Sequence, residues 1–296
     1  MFPALIVSDV HAHERPPRTR IEELQWLVRK LRIMLIKNKC KSLIFLGDLF
    51  DKNAPVSIQH LLLIGELLKI PQQVIMIVGN HDTPIKGSGY SLLDIFGLGG
   101  AQIISTPTVI EKCLFLPYYA ELSTCPEPFK FAFMHKDILE LNPFPDKDWA
   151  ISLDQLPDAP LIFNGHLHKN GEVVSPDKAK KLIQVGAPYP TTWSDTYSDN
   201  RFVYLLQRNG EYERLELNIT ADEGAPDYSK FVRVRTREEK LKEESVQATA
   251  VLDTIRGEII SIDACVEMIE APKAVKNIVR GVVAHVEDTE VEGIKL

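Results

Sequence analysis

Four short apolar runs each stop at a cluster of aspartate, asparagine and histidine. They are ALIVSDVHAH (4–13), LIFLGDLFD (43–51), VIMIVGNHD (74–82) and LIFNGHLH (161–168). An apolar run of this length bounded by turn-forming residues reads as a strand buried on both faces. A carboxylate or imidazole at the end of such a strand is costly unless it has a partner. In open α/β sheets the carboxyl ends of the strands are where loops bring side chains together around a ligand. The four polar clusters are therefore expected to converge on one site.

The first hundred residues alternate strand and helix patterns. ALIVS is followed by a helical segment from Thr19 to about Lys37, in which Ile21, Leu24, Val28, Leu31 and Leu35 recur at helical spacing. Thr19 and Glu22 form a capping-box signature at its start. Strand SLIFLG, a helix over about Ile58 to Lys69, strand QVIMIVG and a short helix around Ser91 to Phe96 complete a βαβαβ order. That order predicts parallel strands with right-handed crossovers.

After Gly100 short strands follow one another: AQIIS, KCLFLPY, KFAFMH, PLIFNGH, KLIQVG, RFVYLLQ and YERLELN. Their turns carry Pro, Gly, Asn and Asp, which predicts a largely antiparallel or mixed second sheet and, overall, a layered α/β sandwich. The polar segment 219–229 reads as a linker between a main domain, 1–220, and a small α+β domain, 230–296.

Composition limits the function classes. The chain has 296 residues, 45% of them hydrophobic and 25% charged, with no apolar stretch near the roughly 18 residues of a membrane span. The start MFPALIVSD lacks a basic n-region and a cleavage site, so the expected location is the cytoplasm, away from membranes. Cys40, Cys113, Cys125 and Cys265 show no CxxC spacing and are expected to be reduced structural thiols. A net charge of -7 argues against a surface that is basic throughout, although local clusters such as KNKCK and KFVRVRTR remain available to a phosphate backbone.

A lone Asp after a strand is ordinarily a helix cap, and a lone His is ordinarily a hydrogen-bonded core residue. The set Asp9, His11, Asp48, Asn80, His81, His135, His166 and His168 is different. It uses five of the eight histidines, each at a strand end. In an extended chain Asp9 and His11 would share one side, as would His166 and His168. A mixed nitrogen and oxygen donor set without thiolate points to manganese, iron or zinc. Seven potential ligands exceed what one ion with open positions takes. They suit two ions sharing a carboxylate, an arrangement that activates water and clamps the oxygens of an in-line displacement at phosphorus.

The ordered motifs D-x-H, GDxxD, GNHD, a lone His and GHxH, from Asp9 to His168, resemble the calcineurin-like metallophosphoesterases. The resemblance implies an α/β/β/α metallophosphoesterase sandwich with a small C-terminal α+β cap, and two divalent ions, manganese first with iron or zinc as alternatives. It implies one ion held by Asp9, His11, Asp48 and His168. The other would be held by Asp48, Asn80, His135 and His166, with Asp48 as the bridge. His81 resembles the family's catalytic histidine, which stabilises the transition state or protonates the leaving oxygen. Asp51 is left as an outer or capping group, and Asp82 as a cap.

GNHD in place of GNHE, and the lack of a GDxVDRG form, lower the protein-phosphatase reading. The stretches GDLFDKNAPVS, GNHDTP and LIQVGAPYPTTWSD resemble the SbcD-type and phage recombination endonuclease subunits. This implies a DNA nuclease, exo- or endonucleolytic, with DNA and a coiled-coil ABC-type ATPase subunit as partners. The apolar segment Ile58 to Leu68 allows a homodimer. The alternatives are a phosphodiesterase for cyclic nucleotides or other small phosphoesters, and a non-catalytic scaffold, which would be expected to have lost ligands.

Overall fold

The computed structural model describes residues 1–14, 20–52, 54–70, 72–83, 90–121, 128–175, 179–191 and 201–217. The domain expected at 230–296, the linker before it, and the capping role given to Thr19 lie outside the described residues.

Two six-stranded mixed sheets form the frame. In the first, β1 (Ala4–Val7), β2 (Ser42–Phe45), β3 (Gln73–Ile77) and β4 (Gln102–Ile104) run parallel in that order. They are linked through α1 (Ile21–Lys37), α2 (Ile58–Leu68) and the short α3 (Asp94–Gly97). The second sheet takes β5 (Thr108–Ile110), β6 (Cys113–Leu116), β7 (Phe131–Met134), β8 (Leu161–Asn164), β9 (Gly171–Val174) and β10 (Lys181–Gln184). Its order is β5-β6-β7-β8-β10-β9, with β6, β7, β8 and β10 parallel and antiparallel strands at both edges.

The strands after Gly100 do not all join the second sheet, as their sequence order implied. β4 extends the first sheet as a parallel edge, and β11 (Phe202–Leu206) with β12 (Tyr212–Glu216) returns to it antiparallel, beside β1. Residues Val203 to Leu206 are all buried, so β11 needs cover on both faces, which a place inside the first sheet supplies. The edge strands β5 and β9 escaped sequence reading because each is short and partly exposed, with a weak apolar pattern.

Register explains the core. Tyr204, Ile6, Ile44 and Ile75 are cross-strand neighbours in the first sheet, and Phe115, Phe133, Phe163 and Ile183 are in the second. These two rows belong to one buried cluster, and the rings of Phe163 and Tyr204 meet edge to face at 5.9 Å across it. Period-two alternation sends Leu114, Ala132, Met134, Ile162 and Leu182 to the other side of the second sheet. There they pack with Ile138, Leu156 and Ala159 of the 137–159 segment, whose one helical turn is a 3₁₀ turn at Leu153–Gln155. α1 buries Leu24, Val28, Leu31 and Leu35 of the predicted set, with Leu27 beside them, while Ile21 is half-buried. Its first turn carries Glu22 and Glu23 and its last Lys37, both favourable to the helix dipole. Cys40 and Cys113 are buried free thiols. No described helix is long and apolar enough to cross a membrane.

One buried amide fixes the second sheet where the site begins. Asn164 accepts from the Lys136 N–H at 2.9 Å, and its amide group donates to Lys136 O and Gln184 Oε1, each at 2.9 Å. It thereby ties the ends of β7, β8 and β10 together. Replacing Asn164 by Leu leaves the Lys136 N–H and carbonyl without these partners. Each buried unsatisfied group costs about 1–3 kcal/mol, so urea denaturation of Asn164→Leu is expected to show a loss of about 2–4 kcal/mol.

Candidate metal centre

The parallel alignment of β1 with β2, and of β7 with β8, brings the ends of all four strands to one edge of the sandwich. From there the chain turns abruptly. Asp9 (φ 53°), His11 (φ 46°), Asp48 (φ 52°) and His166 (φ 77°) all adopt left-handed backbone. The expectation that D-x-H and H-x-H act as extended chain is thus corrected. The left-handed residues curl each loop back, so that its own N–H groups meet the neighbouring loop. Asp9 N–H donates to Gly47 O at 3.1 Å, His11 N–H to Asp48 O at 2.9 Å, and His166 N–H to Asp9 Oδ1 at 3.1 Å. Left-handed backbone costs about 1–2 kcal/mol per residue, less for Asp and His than for bulkier side chains.

Two glycines allow the loops to approach. A side chain at Gly47 (φ 94°) would overlap the His135 ring, and one at Gly79 would overlap the Asp48 carboxylate. Asp48 sits in the middle. Its Oδ2 lies 3.2 Å from His135 Nε2 and 3.7 Å from His11 Nε2, while Oδ1 accepts the His81 N–H at 2.8 Å. On one side Asp9, His11 and His168 form a group whose donor atoms lie within 4.8 Å of one another, and on the other Asp48, His135 and His166 do the same. Asn80 Oδ1 joins the second group, 3.3 Å from His135 Nε2 and 3.1 Å from His166 Nδ1. A third grouping, His11, Asp48 and His81, spans the two. All eight residues singled out in the sequence are therefore gathered at one place.

The donors fit divalent cations. Asp9 Oδ2 is fully buried with no hydrogen-bond partner. His168 Nε2 and His11 Nε2 face one another at 3.1 Å. Thr191 Oγ1, 2.6 Å from His168 Nδ1, holds the far side of one ring. Lone pairs from two imidazoles and an orphaned carboxylate oxygen converging in this way are what a cation satisfies. Burial pushes the Asp9 carboxyl up, against the pull of His135 and His168. Burial drives His11 down to about 3, so this ring is neutral and ready to donate a lone pair. Burial would also lower His135, but the Asp48 carboxylate beside it prevails and raises it to about 9.

Side chains that the sequence left as caps or did not single out hold this edge together. Asp82 is buried, and its carboxylate accepts from Asp48 N at 2.8 Å, Gly79 N at 2.9 Å and Phe50 N at 3.1 Å, clamping the β2 and β3 loops to each other. Burial, with Asp48 nearby, raises it to about 7. Asp51 Oδ1 lies 3.1 Å from His81 Nδ1, which makes it the orienting partner of His81. The GDxxD spacing was the signal for this pair.

Asp137 Oδ2 lies 3.7 Å from His166 Nε2, and the Tyr118 ring lies 5.2 Å from the His166 ring. Two buried arginines brace the loop that supports His168. Arg20 donates to Pro190 O at 2.8 Å and Thr191 O at 2.9 Å, and Arg201 donates to His168 O at 3.2 Å. Nothing local in the sequence marks Arg20, Arg201, Asp137 or Thr191, because each acts across more than twenty residues of chain or through a backbone carbonyl.

A cation that takes His135 as ligand must displace its proton. Because that ring is raised to about 9 in the metal-free chain, cation affinity is expected to rise as pH increases toward 9, by about tenfold per unit for one proton, and to level off above it. Titration calorimetry in buffers of different ionisation enthalpy should report about one proton released at pH 7. A pH-independent affinity with no proton release would contradict this.

A family model described as calcineurin-like phosphoesterase matches residues 2–186. No curated protein matches the chain. Among solved structures the chain is similar to an archaeal phosphodiesterase, at 17% identity over 72% of this chain and 99% of that one, with a TM-score of 0.39. It is also similar to the nuclease MPE of Pseudomonas putida, at 19% identity over 72% of this chain and 88% of that one, with a TM-score of 0.37. The match over residues 2–186 spans all eight residues singled out in the sequence and more than half of the chain, so the chain belongs to the calcineurin-like phosphoesterase family of metal-dependent hydrolases.

Proposed function

We propose that the chain is a two-metal phosphodiesterase that hydrolyses the DNA backbone, a nuclease subunit of the recombination and break-repair type. The observation that carries the two-metal part is the position of Asp48, whose Oδ2 faces His11 on one side and His135 on the other. In this reading Asp9, His11, Asp48 and His168 hold one divalent ion and Asp48, Asn80, His135 and His166 the second, manganese in the first instance. Ions held there supply a water of lowered pKa and neutralise charge on the phosphate.

The protein's own groups do the rest. Asp51 orients His81 through Nδ1, and Nε2 of the same ring is then the atom that gives a proton to the leaving oxygen. His81 and Asp51 remain partly exposed while Asp9, Asp48 and His135 are buried. The proton donor thus stands where a substrate can reach it.

The DNA part rests on the sequence stretches 47–57, 79–84 and 182–195, which resemble the recombination nuclease subunits. Lys169, Gly171 and Glu172, in the turn and strand after His168, are exposed, which leaves this side of His168 within reach of a substrate. A coiled-coil ABC-type ATPase partner, a cytoplasmic location and self-association belong to the same proposal. The exposed Ile58 and Leu62 of α2 offer apolar surface for pairing.

Hydrolysis of linear duplex DNA, single-stranded DNA and a cyclic nucleotide, each with Mn²⁺ and with EDTA, tests the reading. Metal-dependent DNA cleavage is expected. Turnover of the cyclic nucleotide alone would reassign the protein to small phosphoesters. His81→Ala is expected to keep both ions, counted by elemental analysis, and to lose turnover by about 10²–10⁴-fold. Asp51→Asn should keep the ions and lose about 10- to 100-fold in kcat. His81→Ala with normal turnover would remove the assigned role.

A further inference from the structure

Beside the donors lies a cleft of about 520 Å³, bounded at one end by His166 and His168. This is within the roughly 300–1,000 Å³ typical of pockets for small organic groups. Leu141, Leu167 and Val173 give it apolar walls, and Lys169 and Asn170 stand in the turn that follows His168. Its other amides are committed. Asn142 donates to Asp137 Oδ1 at 2.8 Å, and Gln184 donates to Leu167 O at 3.2 Å. Among the described residues the Lys169 ammonium and the Asn170 amide have no hydrogen-bond or ion-pair partner.

A second observation concerns the loop that brings Leu141 and Asn142 to the cleft. Phe144, two residues beyond Asn142, is 88% exposed. The loop that carries it is tied down. Phe144 N–H donates to Asn142 Oδ1 at 3.0 Å, Asp146 N–H donates to Asp137 Oδ2 at 2.7 Å, and Asp137 itself faces His166. Phe144 does not itself line the cleft, but an apolar ring held out into water on a tied loop, two residues beyond the lining residue Asn142, together with a partly apolar cleft that carries one free cation and one free amide, matches the chemistry of a nucleoside. The base takes the apolar walls and a ring to stack on, an amide reads its polar edge, and an ammonium meets the neighbouring phosphate.

Resting on the phosphodiesterase reading above, we propose that this cleft is the subsite for the nucleoside that stays on the scissile phosphate. His81, the proton donor to the leaving oxygen in that reading, is not among the residues that line the cleft. The cleft therefore belongs to the retained side. A base can enter it only when unstacked, so an unpaired strand or a frayed end is taken in preference to intact duplex.

The test compares two esters with the same leaving group, thymidine 5′-(p-nitrophenyl phosphate) and methyl p-nitrophenyl phosphate, in the Mn²⁺-loaded full-length protein. The wild type should favour the thymidine ester in kcat/KM by at least about tenfold, the scale of one base stacked on an aromatic ring. Phe144→Ala, an exposed change, should cut that preference about tenfold through KM and leave methyl ester hydrolysis unchanged. Val173→Trp, which fills the cleft, should do the same. Equal rates on the two esters in the wild type, or a preference undiminished in both variants, overturns the subsite while leaving the phosphodiesterase reading intact. Failure to hydrolyse either ester overturns the phosphodiesterase reading and the subsite with it.

Discussion

The burial of the Asp48 carboxylate at the meeting edge of two sheets is the constraint on which the rest of the structure depends. A carboxylate taken out of water costs several kcal/mol unless charge and hydrogen bonds surround it. Around Asp48 they do: the His135 and His11 rings at one oxygen, and the His81 N–H at the other. That surrounding draws on the ends of β1, β2, β3 and β7, four strands from two sheets, which is why the β1–β2 and β2–β3 registers matter to chemistry as much as to packing. It also requires left-handed backbone at Asp9, His11, Asp48 and His166, and glycine at 47 and 79. Four of the eight described non-glycine residues with left-handed backbone are candidate donors at this edge, and the hydrophobic rows between the sheets hold the frame beneath them.

Outside the donors, a ring of buried polar groups fixes each loop by its backbone. Asp82 clamps the β2 and β3 loops, Asn164 joins the ends of β7, β8 and β10, and Arg20 and Arg201 brace the segment behind His168. These groups are more than caps, because together they hold the candidate donors in position. Preorganised donors spare the site the reorganisation that would otherwise oppose binding and catalysis. Asp51 and Asp137 extend the same principle to His81 and His166, one imidazole and one carboxylate at a time.

The central strands and the gathering of the eight candidate residues at one edge were legible in sequence because both signals are local. LIFL and VIMIV are buried on both faces, and their polar ends stand within a few residues of them. α1 was equally plain, since Leu24, Leu31 and Leu35 lie on one face of a 3.6-residue period. Which sheet β4, β11 and β12 join was not legible, because strand partnership depends on contacts between residues as far apart as Ile6 and Tyr204. The direction of Asp9 and His11 was misread as extended, since the backbone angle there is set by hydrogen bonds to the neighbouring loop and not by the residues themselves. Thr191 and the two arginines were invisible for the same reason: their partners are carbonyls and a ring that only the fold brings near.

The most direct test of the account is the anomalous scattering of manganese in crystals of the protein grown or soaked with Mn²⁺. Two peaks flanking the Asp48 carboxylate, one beside Asp9, His11 and His168 and the other beside Asn80, His135 and His166, are the predicted result. A single peak that does not touch Asp48, or no ordered manganese at this edge while the ion binds elsewhere, would contradict it.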